Sequence, residues 1–148
     1  MKEERYIDIM KRDISSFDTS NSLNLPIQIE YLTFFGFLNR QLIPFNILEN
    51  EIIVYATIDL DGTLIHKIPN NLHIKGSLKL NNSNVEKLPN KLFIEERLFL
   101  QNSRIEEIPN DIFVEKSIYM DSNLLKNIPD DLGVKRLHVF FEEEFQPF

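Results

Sequence analysis

The sequence contains no cysteine, which excludes a disulfide scaffold, a thiolate metal site and a cysteine nucleophile, and leaves nothing that points to secretion. Positive charge is scarce. Sixteen basic residues stand against 23 acidic ones for a net charge of −7, the wrong sign for gripping a nucleic-acid backbone unaided, so a basic or neutral-polar partner fits better. Long apolar runs are also missing: nothing approaches the roughly 18 uncharged apolar residues that would span a bilayer, and the amino terminus, MKEERYIDIMKRD, alternates charged and apolar residues. The expected location is the cytoplasm. With 148 residues, 43% hydrophobic and 26% charged, the chain reads as one soluble globular unit.

What is present is a repeat. Ile68-Pro69, Leu88-Pro89, Ile108-Pro109 and Ile128-Pro129 recur every 20 residues, with apolar positions fixed between them. The first unit places Ile68, Leu72, Ile74, Leu78, Leu80 and Val85 there, the second Leu88, Leu92, Ile94, Leu98, Leu100 and Ile105, and the third Ile108, Ile112, Val114, Ile118, Met120 and Leu125. Counting backwards, Ile58 and Leu60 obey the same template. Forwards, Leu137 and Val139 stand one residue early, so the last unit has lost a residue. Upstream, Leu25-Pro26 and Ile43-Pro44 begin segments read as degenerate early coils over residues 25–56. Residues 1–24 differ in kind: Tyr6, Ile7, Met10, Ile14 and Phe17 follow a helical stagger and predict an amphipathic helix that caps the first coil. At the other end, residues 141–148 predict an acidic and aromatic cap. Nine of the 12 phenylalanines lie outside residues 60–136, as closing an open-ended core requires.

Within each unit the L-x-I and L-x-L segments alternate at period two, which predicts two short strands with one inward-facing side each. Twenty residues leave no room for a helix beside two strands and their turns, and the recurring proline removes a backbone donor. Stacked about 4.8 Å apart, equivalent strands form parallel sheets. The expected fold is therefore a mainly β repeat solenoid over residues 57–140. Thr63, Ser83, Ser103 and Asn123 occupy one polar template position and predict a structural ladder bonded to the turn backbone of their own or the next coil. Gly76, Glu96 and Lys116 share the corner between the strands, where glycine would tolerate positive φ.

The core Ile118-Tyr119-Met120-Asp121-Ser122-Asn123-Leu124-Leu125 followed by the I/L-P step resembles the leucine-rich-repeat family, and is most similar to the short proline-containing repeats of bacterial effectors and of proteins carried by bacteriophages and mobile elements. The resemblance is strong over residues 57–140, partial over 25–56 and absent from 1–17. Serine or threonine replaces most of the family's asparagines. It implies a scaffold that binds protein rather than one that runs a reaction.

One motif competes. Thr57 to Ile65, TIDLDGTLI, resembles the first motif of haloacid-dehalogenase-like phosphatases, which would make Asp59 a nucleophile and Asp61 an acid/base beside Mg²⁺, with Asp130 and Asp131 as a metal pair. Such enzymes need a doubly wound α/β domain downstream, whereas repeats fill that space. Ile58, Leu60, Thr63 and Ile65 also fall in repeat register with Leu78, Leu80, Ser83 and Val85. Asp130 and Asp131 are equivalent to Asn70-Asn71, polar residues of an exposed turn. His66, His73 and His138 lack ligand spacing, so no metal site and no cofactor is expected.

The outward residues remain. Asp59, Lys79, Phe99, Tyr119 and His138 form one column, flanked by Asp61, Asn81, Gln101 and Asp121 on one side and by Ser77, Arg97, Ser117 and Arg136 on the other. Phe99 and Tyr119 have two readings: rings that stabilise each other across strands, or the centre of a binding hot spot comprising Lys79, Arg97, Gln101, Asp121 and His138. Phe93 and Phe113 give a second apolar patch, either partner-facing or covered by the N-terminal region. The function expected is that of a monomeric, non-enzymatic protein-binding module, with no direct nucleic-acid or membrane contact. Its narrower form is a phage- or mobile-element-encoded inhibitor of a host defence complex, similar to an anti-CRISPR, that occludes a basic nucleic-acid channel.

Overall fold

A computed structural model describes residues 31–141. The helix expected in residues 1–24 and all but Phe141 of the expected C-terminal cap lie outside these residues. Within them the chain is a mainly β solenoid of about four turns. Its elements are α1 (Leu32–Arg40), β1 (Phe45–Ile47), β2 (Ile52–Val54), β3 (Ile58–Asp59), β4 (Leu72–Ile74), β5 (Leu78–Lys79), β6 (Phe93–Ile94), β7 (Arg97–Leu100), β8 (Phe113–Asp121) and β9 (Gly133–Phe140). A 3-10 helix, Ser122–Asn127, separates the last two strands.

The 20-residue period is the pairing register. In the leading column of strands Ile52 pairs with Leu72, Ile74 with Ile94 and Ile94 with Val114. In the trailing column Ile58 pairs with Leu78, Leu78 with Leu98 and Leu98 with Ile118, all parallel. Because β8 and β9 run through both columns, the two join in one nine-stranded sheet. The missing corner residue appears between β8 and β9, where the offset falls from Val114 over Val134 to Ser117 over Arg136. Every inward template residue from Ile58 to Met120 is buried. A buried side chain of this size contributes about 1.5–3 kcal/mol, and no coil could bury its own set alone.

Three departures from the sequence reading have local causes. Residues 32–40 form α1 rather than an early coil, because Phe34, Phe35, Phe37 and Leu38 cluster on one helical face and are buried against the first coil. The helix ends where Leu42 takes a left-handed φ of 58° and Ile43 N–H donates to Leu38 O. Residues 45–54 are likewise no simple coil: β1 and β2 form an antiparallel hairpin, and only β2 occupies repeat register. In the third unit the 3-10 helix turns Leu124 inward at 2% exposure and leaves Leu125 outside at 42%. The cause lies at its first residue. Gly62, Asn82 and Asn102 all adopt positive φ at this turn position, whereas the equivalent Ser122 begins the 3-10 helix; glycine and asparagine visit that conformation most readily.

Gly76 also has a different role from the one expected. Its φ is not among the positive values; instead, a Cβ there would meet Thr57 N and Oγ1 at 2.6 Å. Close approach of the first two coils requires its bare α-carbon. Gly76→Ala is therefore expected to destabilise the chain by about 1–3 kcal/mol. Gly62→Asn, matching Asn82 and Asn102 at a position with no neighbour near the added Cβ, should change stability little. Urea unfolding of the two variants measures the contrast.

Candidate protein-binding face

Parallel pairing brings one outward residue per coil into each column, so a single template position becomes a continuous stripe. On the trailing face Phe99 and Tyr119 stack with centroids 4.9 Å apart and planes 7° apart. His138 continues the stack 4.5 Å from Tyr119 at 8°, and Phe140 lies 6.4 Å from Tyr119. At the other end Lys79 Nζ sits 6.0 Å from the Phe99 centroid and 3.6 Å from Asp59 Oδ2. Phe99, Tyr119, His138 and Lys79 are all partly exposed. Arg97 and Arg136 flank the stack. Both are exposed and make no ion pair among the described residues.

The other flank is engaged in structure. Asp61 Oδ1 accepts from Asn81 N–H at 2.9 Å, and Asn81 Oδ1 accepts from Gln101 N–H at 2.8 Å. Asp121 Oδ2 accepts from Asn102 N–H at 2.7 Å. Hydroxyls do the same beside Arg97: Thr57 Oγ1 accepts from Ser77 N–H, and Ser77 Oγ from Arg97 N–H, both at 3.1 Å. Side-chain bonds between coils therefore run through these columns and through Asn70 to Asn90. Thr63, Ser83 and Ser103 instead bond within their own turns, to Leu60 O, Val85 N–H and Ile105 N–H. Asn123 does not continue them; it is exposed in the 3-10 helix. The missed signal was the Asp61, Asn81, Asp121 series of short acceptors at one template position.

On the leading face Phe113 is exposed and Phe93 partly so. They belong to a second aromatic cluster in which His73 stacks 4.4 Å from Phe93 and Phe113 meets Phe93 edge to face at 5.3 Å. His73 Nε2 is 2.8 Å from Glu95 Oε2, and Nδ1 is 3.9 Å from Glu51 Oε1. An open groove of about 730 Å³ follows the proline edge, lined by Glu86, Lys87, Glu106 and Glu107 among others; its mixed charges name no single ligand.

The DLDGT segment sits where β3 passes into the first turn. Asp59 Oδ1 accepts from Asp61 N–H at 3.0 Å, so both carboxylates hold backbone. No cluster of three potential metal ligands occurs among the described residues. No described helix is long and apolar enough to cross a membrane. No family model, curated protein or solved structure matches the chain.

Desolvation by burial, aided by the neighbouring Asp59 charge, raises the Asp61 pKa above its ordinary value of 3.8, against the opposing hydrogen bond from Asn81 and the charge of Lys79. A carboxyl raised on folding favours the native state in its protonated form, so its contribution is complete below the ordinary value and is lost as pH rises through the native one. Asp61→Asn keeps the acceptor and removes that loss. The variant should be at least as stable as the parent at neutral pH and show a shallower decline on leaving acid, as measured by thermal melts across pH.

Proposed function

We propose that the chain is a non-enzymatic protein-binding module of the cytoplasm whose trailing face docks a partner over Phe99, Tyr119 and His138. The observation that carries this reading is the coplanar, partly exposed ring stack bordered by two exposed guanidiniums that make no ion pair among the described residues. Aromatic and arginine side chains are the residues most enriched in binding hot spots, and a stack held by strand pairing loses little further entropy when it is covered. Arg97 and Arg136 are two coil steps apart, about 10 Å, and set the orientation of the partner. Lys79 serves the end of the stack, while Gln101 and Asp121 form the rim. Phe93 and Phe113 provide a second contact on the adjoining face. The resemblance to leucine-rich repeats supports the same class of function.

The narrower reading is an inhibitor carried by a phage or mobile element that blocks a basic, nucleic-acid-binding host protein. Net charge −7 supports it. The carboxylates suited to that task are Glu106, Glu107, Asp111, Asp130 and Asp131, which are not tied to backbone as Asp61 and Asp121 are. Affinity for such a partner should fall steeply with salt.

A tagged pull-down from the native host followed by binding titrations tests the main reading. Phe99→Ala or Tyr119→Ala should each cost about 2 kcal/mol or more of affinity with folding retained. Recovery of nucleic acid or a small metabolite alone would overturn it. A phosphatase reading through Asp59 predicts Mg²⁺-dependent hydrolysis that Asp59→Asn abolishes; the expected result is no turnover by either protein.

A further inference from the structure

The hydroxyl bonds that climb the column beside the ring stack stop at Ser117. Thr57 Oγ1 accepts from Ser77 N–H, and Ser77 Oγ from Arg97 N–H, in each case from the coil that follows. Ser117 stands in the same column, paired with Arg97 on one side and Arg136 on the other, yet its Oγ makes no hydrogen bond among the described residues. The register changes at this step, where the last coil has lost its corner residue. Ser117 as a whole is 5% exposed. Among the described residues the one enclosed side-chain polar atom without a partner is Asn39 Nδ2, so the Ser117 hydroxyl opens on solvent. Pairing in register puts Arg97, Ser117 and Arg136 on one face of the sheet. Both arginines are exposed, and neither makes an ion pair among the described residues. At the adjoining corner Lys116 and Lys135 are matched by Glu96 and Glu115, and Asp121 lies at the far end of the strand, bonded to Asn102 N–H. The uncompensated charge around Ser117 is that of the two guanidiniums.

We propose that Arg97, Ser117 and Arg136 form a subsite for the phosphate of a phosphorylated side chain on the docked protein, an inference that rests on the reading of the trailing face as a protein-binding surface. A phosphomonoester carries a charge of about −1.5 to −2 at neutral pH and offers three acceptor oxygens. Two guanidiniums and one hydroxyl donor match that charge and that number. A carboxylate has a single charge and two oxygens, which one guanidinium fork already fills, so it would leave the second arginine and the serine unused. Ser117 can donate because no described backbone group claims its hydroxyl, whereas Ser77 one coil pair earlier is committed to the ladder. Strand pairing fixes the three backbone positions in advance, so only the arginine side chains have to be ordered on binding. Tyr119 follows Ser117 by two residues on the same face of β8, which places the residues next to the phosphorylated one over the ring stack.

Titration of the full, isotope-labelled chain with O-phosphoserine at fixed ionic strength, followed through the arginine Nε–H and backbone amide resonances, tests the site without any partner. The Arg97 and Arg136 Nε–H signals and the Ser117 amide should move together and saturate, with aspartate at least about tenfold weaker. Arg97→Gln and Arg136→Gln should each lower the phosphoserine affinity about tenfold, and Ser117→Ala by a smaller factor, all with the circular dichroism of the parent. Arg136→Lys, which keeps the charge and loses the fork, should weaken binding as well. Lys126→Gln, in the 3-10 helix, should bind as the parent does. Shifts that do not saturate, equal affinity for aspartate, or an equal loss in Lys126→Gln would overturn the proposal. So would binding that appears only when Glu142, Glu143 and Glu144 are all replaced by glutamine, since the chain's own carboxylates would then hold the column. Phosphatase treatment of a captured partner should weaken its binding to the parent and not to Arg136→Gln; an unchanged affinity for the parent would strike this inference alone, because the ring stack is judged separately by partner affinity in Phe99→Ala and Tyr119→Ala.

Discussion

Parallel hydrogen bonding between residues 20 apart is the constraint on which the rest of the molecule depends. Once Leu78 is paired with Leu98 and Leu98 with Ile118, every other template position is stacked too, whatever its chemistry. Apolar positions become the core. Asp61 and Asn81 become acceptors for the backbone of the next coil, and Phe99, Tyr119 and His138 become a coplanar stack. The face proposed for binding is thus a by-product of pairing, and it is rigid because many strands hold it.

The same constraint explains where the structure is irregular. The last coil, which has lost its corner residue, runs unbroken as β9 through both columns, and β8, paired with it along its length, does the same, so the two columns fuse. A turn that presents serine where the others present glycine or asparagine gives up the left-handed conformation for a 3-10 helix, and Leu124 replaces Leu125 in the core. Such departures fall at the last coils, where regular growth ends, and at the first, where α1 and the β1–β2 hairpin replace simple repeats.

The solenoid and its register were legible because period-two alternation and the proline step repeat without slippage from Ile58 to Met120. The outward positions of Phe93, Phe99, Phe113 and Tyr119 followed from that alternation alone. Residues 32–40 were not legible in the same way. Four large apolar side chains within five residues satisfy a helix and a strand about equally, and only packing over the first coil decides between them. The ladder was legible only up to its partner: Thr63, Ser83 and Ser103 bond the backbone of their own turns, while Asp61 and Asn81 reach the next coil, and which short polar side chain does which depends on turn geometry that spacing does not encode. At the Gly76 corner glycine could have served a positive φ, but it is the nearness of Thr57 that demands glycine there.

The absence of cysteine makes the stacking register directly measurable. Lys75 and Glu95 occupy one template position in successive coils, with Lys75 Nζ 3.9 Å from Glu95 Oε2, and adjacent in-register strands are spaced within disulfide reach. A chain carrying Lys75→Cys with Glu95→Cys should form an intramolecular disulfide under mild oxidation, while Lys75→Cys with Glu115→Cys, two coils apart, should stay reduced. Oxidation of the second pair in preference to the first, or of neither, would contradict the 20-residue stack.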